Sequence, residues 1–195
     1  MANVSKPTGF TVHNAKAGVP FVNSIAIAKP IAYNYGTAIY SGDPVKLVSG
    51  KVNLAANTDQ INGIFVGLVH PLPTATFQLP AYWPANGFAT LGNQDCYALV
   101  IEDPNVVFEA QFGSATVPTI ANINSYYKTG AGTANTTTGQ SGVYVDASTV
   151  NTAVSGLVWK FLGFLDRPDN DRTTAYARGL FLPVRHDLAA TVAAA

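Results

Sequence analysis

Three carboxylates in the stretch YALVIEDPNVVFEAQ, Tyr97 to Gln111, are the first residues whose chemistry needs testing. Glu102 and Asp103 stand at the bend between two apolar runs, and Glu109 follows on the second run. Glu102 with Glu109 could supply the carboxylate pair of a glycosidase, but that reaction also needs a cleft that seats a sugar, and the sequence shows none. Asp103-Pro104-Asn105 has the residue preferences of a tight turn, with proline in the second position. Beyond it Val106, Phe108 and Ala110 share one strand face and Val107, Glu109 and Gln111 the other. The acids therefore read as rim or interface groups of a sheet.

The remaining reactive types form no constellation. His13, His70 and His186 lie far apart, without the His-x-His or His-Glu-x-x-His spacing that makes a zinc face. Asp166, Asp169, Asn170 and Asp171 offer oxygen ligands for calcium. They lack the glycine and distal glutamate of the twelve-residue loop, and Arg167 and Arg172 are placed to neutralise them, so a surface turn is expected. Ser-Gly pairs occur, but none within Gly-x-Ser-x-Gly. TGAGTANTTTGQSG, residues 129–142, has neither Gly-Lys-Ser/Thr nor the glycine spacing of a dinucleotide fold. No catalytic, cofactor-binding or metal-ligating residue is assigned, and no enzyme is expected.

Composition points the same way. Charged residues make up 11% of the 195, against about 25% in an average soluble protein, while hydrophobic residues make up 48%. Part of the surface is therefore expected to lie against other protein, since charge is depleted at interface cores. Eleven basic and eleven acidic residues cancel, which leaves no field to gather nucleic acid or anionic lipid. Cys96 is the only cysteine, so no intrachain disulfide forms. No secretory leader and no run approaching the roughly 20 apolar residues of a membrane span is read, and assembly in a cytoplasm is expected.

The elements that would carry these residues are strands. Residues 1–30 read as an extended arm with Pro and Gly among short apolar pieces, and its anchors Phe10, Val19, Phe21 and Ile25 need cover from the same subunit or a neighbour. From residue 31 to 195 one β-rich domain is expected. Turn signals recur at 42–44, 49–50, 62–63 and 92–93, with short β-branched and aromatic runs between them. Four prolines around Tyr82 and Trp83 mark residues 71–95 as an excursion outside the sheets, with Trp83 as a loop anchor or an interface hot spot. Residues 129–142 are expected to be a flexible surface loop. In SGLVWKFLGFLDRPDND, Leu157, Trp159, Phe161 and Leu165 fall on one face, and Val158, Leu162 and Phe164 fall on the other. That two-sided pattern predicts a buried central strand or a subunit contact. The fold expected is all-β, a β-barrel or β-sandwich of β-tulip or jelly-roll type with an extended N-terminal arm. The interface residues expected are Phe10, Phe21, Ile25, Tyr82, Trp83, Trp159 and Phe164.

Four segments, GDPVKLVSG, ALVIEDPNVVFEAQ, SGVYVDASTVNT and KFLGFLDRPDND, resemble in the same order segments of the capsid decoration or cement proteins of tailed bacteriophages, particularly short-tailed ones. The resemblance implies a β-rich subunit that binds the outside of a capsid, with the major capsid protein as partner, and reinforces the lattice as a symmetric oligomer. A homotrimer is favoured and a homodimer is the alternative. It carries no active-site residues. A carbohydrate- or receptor-binding module of a virion, using Tyr82 and Trp83 as its sugar platform, is the competing expectation.

Overall fold

The computed structural model describes residues 3–15, 26–69, 81–88 and 95–188. Phe21, Ile25, His70 and residues 71–80 lie outside them. The described chain is all-β, eleven strands with one short 3-10 turn at Ile120–Asn122.

The larger sheet contains β1 (Thr11–Ala15), β7 (Val106–Gly113), β11 (Arg178–Pro183), β10 (Trp159–Phe164), β8 (Tyr126–Gly130) and β9 (Tyr144–Asn151), in that order. All neighbours are antiparallel except one. Phe112 and Gly113 of β7 pair in parallel with Val145 and Asp146 of β9, which closes β7-β11-β10-β8-β9 into a five-stranded barrel. The other half of that β7 edge takes β1, with Thr11 opposite Glu109 and Val12 opposite Phe108. An edge that would otherwise offer bare backbone is thus shared by two strands.

Side chains alternate along these strands, so Val106, Phe108, Ala110 and Phe112 of β7 point into the barrel and meet Tyr127, Val145, Trp159, Phe161 and Phe181. The rings pack edge to face, with centroids of Phe112 lying 5.1 Å from both Phe161 and Phe181. Trp159 donates from Nε1 to Thr129 Oγ1 at 2.8 Å, so its buried N–H is satisfied.

The smaller sheet is antiparallel with order β2 (Ala26–Ile31), β6 (Cys96–Ile101), β5 (Gly63–Val69), β3 (Pro44–Val48) and β4 (Lys51–Leu54). Its own core is mostly aliphatic, built from Ile31, Ile39, Val45, Val52, Phe65, Ala98 and Val100 around the buried Trp83. Ser49 and Gly50, both at positive φ, make the two-residue turn from β3 to β4. Ile64 and Ile101 belong instead to the aromatic core, so the two sheets share one apolar junction.

Three expectations change here. The described part of the arm belongs to the body: β1 and β2 are sheet strands, and Phe10 is 1% exposed with its ring on Trp159 at 3.9 Å. Residues 129–142 are stitched to the segment that leads into β3 rather than left loose. Ser41 N donates to Gly139 O, Ser141 N donates to Ser41 O, both at 2.9 Å, and Ser141 is buried. Asn62-Gly63 is not a turn but the entry to β5, where a Cβ on Gly63 would fall 2.1 Å from the Ile101 carbonyl oxygen.

Candidate functional site

The acids singled out by sequence do not converge. Glu109 points outward from the barrel, and its Oε1 accepts from Arg167 Nη2 at 2.6 Å and Arg178 Nη1 at 3.1 Å. Glu102, just past β6, is 5% exposed and pairs with Lys29 Nζ at 3.0 Å. Asp103 closes the β6–β7 turn, its Oδ1 accepting from Asn105 N at 2.8 Å. Each carboxylate is held by its own cation or turn amide, which is the behaviour of structural groups.

The Asp166–Asp171 turn is also accounted for by its own bonds. Asp166 pairs with Arg172. The Asn170 amide donates to Leu165 O and Arg178 O and accepts from Arg178 N. The hydroxyl and amide of Thr173 hold Asp171 below the ordinary carboxylate range. No group of three or more His, Cys, Asp and Glu able to hold a metal occurs among the described residues.

His13 is exposed on β1, whereas His186 is 2% exposed and its Nδ1 accepts from Leu188 N at 3.1 Å. Burial pushes the His186 pKa down, against the pull of the Asp187, Glu102 and Asp103 charges. The Cys96 thiol is buried and pushed up, the opposite of an activated nucleophile.

The expected interface aromatics lie mostly inside. Trp83 and Trp159 are fully buried and Phe10 nearly so, which makes them unavailable to a partner in this fold. Trp83 anchors its segment onto its own sheet. Its N–H and C=O bond to Ile39, and its Nε1 donates to Tyr35 O at 3.2 Å. Phe164 turns inward because β10 bulges between Phe161 and Gly163, which puts Phe164 opposite Gly179 and within 5.0 Å of the Phe161 ring centroid. The two-sided apolar pattern of β10 is therefore met in part by an internal bulge, which packs the half-buried Phe164 against the barrel core. Tyr82 is half-buried and stacks on Tyr40 at 4.9 Å.

Exposed apolar residues are scattered over the surface, Val4, Ile120 and Leu188 the most open, and one pair of them, Tyr97 and Val69, lies side by side in a patch not singled out from the sequence. On the outer face of the small sheet, Pro30, Tyr97 and Val69 form one cross-strand row over β2, β6 and β5, and Ala28, Leu99 and Gly67 form the next. The third row, Ala26, Ile101 and Ile64, is covered by the barrel. The first is partly open, with Tyr97 40% and Val69 41% exposed, and in the second Ala28 is exposed while Leu99 and Gly67 are half-buried. None of the six carries a charge. The signal was present as the alternation of Tyr97, Leu99 and Ile101 against Cys96, Ala98 and Val100, but sequence alone does not say where the cover ends.

A second concavity, of about 820 Å³, runs between the small sheet and the β8–β9 end of the barrel, lined by Tyr40, Asp43, Asn57, Thr129, Tyr144 and Asp146 among others. At its base Asp43 accepts from Ser141 Oγ at 2.5 Å and Tyr40 N at 2.7 Å, and burial pushes its pKa up. The Tyr144 ring lies flush against Gly113 and Gly130, where any Cβ would meet it at 2.1 Å.

Fold and surface together define an all-β protein of a closed barrel joined to a second sheet, whose most distinctive accessible feature is an uncharged apolar strip. Among the described residues no helix is long and apolar enough to cross a membrane. No known protein family, curated protein or solved structure matches the chain.

Proposed function

We propose that this chain is a structural subunit of a phage virion, held on the outer surface of the capsid, where it reinforces the lattice of the major capsid protein. The observation that carries the reading is the strip of Pro30, Tyr97, Val69, Ala28, Leu99 and Gly67, a surface suited to lying against other protein and to nothing charged. The resemblance to decoration proteins supports it. The four segments that carry the resemblance meet in space: Ser141 bonds Asp43, and Arg167 pairs with Glu109.

The test is direct. Capsid shells lacking the protein are incubated with it at about 0.05 M and about 1 M salt, a range over which the screening length shrinks several-fold. Apolar contacts predict occupancy that changes little. A loss of more than roughly tenfold in high salt would mean that charge pairs hold the protein on, as they do a nucleic-acid binder, and would overturn the reading.

A glycan- or receptor-binding module is the second reading, and one observation favours it: the groove lined by Tyr40, Tyr144, Asp43, Asp146 and Asn57 combines aromatic rings with oxygen and amide groups, as sugar sites do. The platform expected at Tyr82 and Trp83 is not its basis, because Trp83 is buried. Binding of the isolated protein to a glycan array, lost on Tyr144→Ala, would favour this module over the capsid role.

A further inference from the structure

We infer that the groove beside the barrel takes a neutral, linear oligosaccharide, which lies on the Tyr144 ring and runs on past it. The inference rests on the second reading above, that the groove holds sugar, and adds the charge class of the ligand, its extended form and the residue that seats it.

The first observation is how Tyr144 is laid down. It opens β9 at the seam where the barrel closes, with Gly130 of β8 opposite it and Gly113 of β7 opposite Asp146. Val145 and Ala147 point into the core, so alternation turns Tyr144 and Asp146 outward. A Cβ on Gly113 or on Gly130 would fall 2.1 Å from the Tyr144 ring. Neither glycine has positive φ, so each supplies room for the ring and not a turn. The ring therefore rests directly on the backbone of two strands and is only half-buried. An aromatic ring fixed in this way is a platform for the C–H face of a sugar ring.

The second observation is the continuity of the space around it. A smaller concavity of about 330 Å³, with Gln111, Ser114 and Tyr176 in its wall, shares Gly132, Thr133 and Tyr144 with the groove of about 820 Å³. Each is of the size of a small-molecule site, and they meet at Tyr144, so the path has room for more than one sugar unit.

The third observation is charge. Lys, Arg and His line neither concavity, and Lys128, opposite Asp146 across β8–β9, is outside both linings. The charged side chains in the walls are Asp43 and Asp146. Asp43 is 4% exposed and is held by Ser141 Oγ and Tyr40 N, while Asp146 Oδ1 accepts from Ser148 N at 3.0 Å and Ser148 Oγ at 2.6 Å. An acidic sugar would meet carboxylates with no counter-charge, and an amino sugar would find one of the two carboxylates buried and engaged. The hydroxyls of a neutral sugar can donate to Asp146 and to the exposed oxygens of Asn57 and Thr133.

The full chain is applied to an array of neutral linear glucans, mannans, galactans and N-acetylglucosamine oligomers, beside oligomers of sialic acid, galacturonic acid and glucosamine. Neutral chains should bind, and calorimetry with the best of them should show the tetrasaccharide well above its monosaccharide. Tyr144→Ala should weaken that binding by roughly tenfold or more, and Tyr144→Phe, which keeps the platform, by no more than about threefold. Thr133→Arg, at an exposed position where the two concavities meet, should block the tetrasaccharide with melting unchanged, and it decides the matter should Tyr144→Ala fail to fold. Neutral binding indifferent to Thr133→Arg, or a monosaccharide that binds as well as the tetrasaccharide, overturns the inference. Binding of acidic or amino sugars alone overturns it and leaves the sugar-binding reading standing. A protein that binds no glycan of any class removes both.

Discussion

β10 and β6 carry the same kind of sequence and settle it in opposite ways. Each is apolar on both faces, WKFLGF in one and CYALVI in the other. In β10 the bulge between Phe161 and Gly163 resets the alternation, so Phe164 joins Phe161 inside, and Gly179 opposite leaves space for the rings. In β6 pairing to β2 runs without a break from Cys96 to Ile101, and the second face stays where alternation puts it, covered at Ile101, half-buried at Leu99 and exposed at Tyr97. Low charge alone could not have told these two apart.

That contrast can be broken at its buried end first. Phe161→Ala removes a ring that touches Phe112, Phe164, Phe181 and Tyr127, and should lower stability by about 3–5 kcal/mol, read from the denaturant midpoint at constant slope. The next largest effect compares two glycines. Gly179→Ala drives a methyl to 2.7 Å from the Phe161 ring and should cost about 1–3 kcal/mol, whereas Gly67→Ala meets nothing and should fall within about 0.5 kcal/mol of wild type. Equal costs would mean that the strip is already packed.

A smaller effect probes the junction where the β6 face passes under cover. The folded-state pKa of His186 lies below its ordinary 6.5, so as pH falls through that value the unfolded chain takes up its proton first. Its contribution is intact above pH 6.5 and is lost as pH drops toward the folded-state pKa. His186→Asn should flatten that part of the stability–pH curve, measured by thermal melting at a series of pH values. Smallest of all is the effect of Tyr97→Ser on the stability of the isolated subunit, within about 0.5 kcal/mol, because an exposed ring contributes little to its own fold.

Much of the strand content was legible because turns announce themselves locally. Ser49-Gly50 and Asp103-Pro104-Asn105 are turns for reasons held within a few residues: positive φ in the first, and an aspartate side chain accepting its own backbone amide in the second. Asn62-Gly63 misled because its glycine answers to a distant carbonyl, that of Ile101, and not to a local bend. Phe10, Trp83, Trp159 and Phe164 were correctly picked out as residues that demand cover, but their cover is internal, supplied by strands and loops remote in sequence. The strip at Tyr97 went unseen for the converse reason. Its apolar residues look like core, and only the place where the barrel stops covering the small sheet leaves them outside.

Asn3 clasps a turn near the far end of the described chain, and that has a consequence in time. Its side chain donates to Asp171 O at 2.7 Å and Ala175 O at 3.2 Å, and it accepts from Asp171 N, across 168 to 172 residues of chain. β1 likewise needs β7, and β7 needs β11. A ribosome delivers the first partner of each pair long before the second, so the early strands must wait unpaired while the rest is made. Such distant pairings make for slow folding and a long exposure of apolar segments. The barrel can close only after β11, its last strand in chain order, has been made.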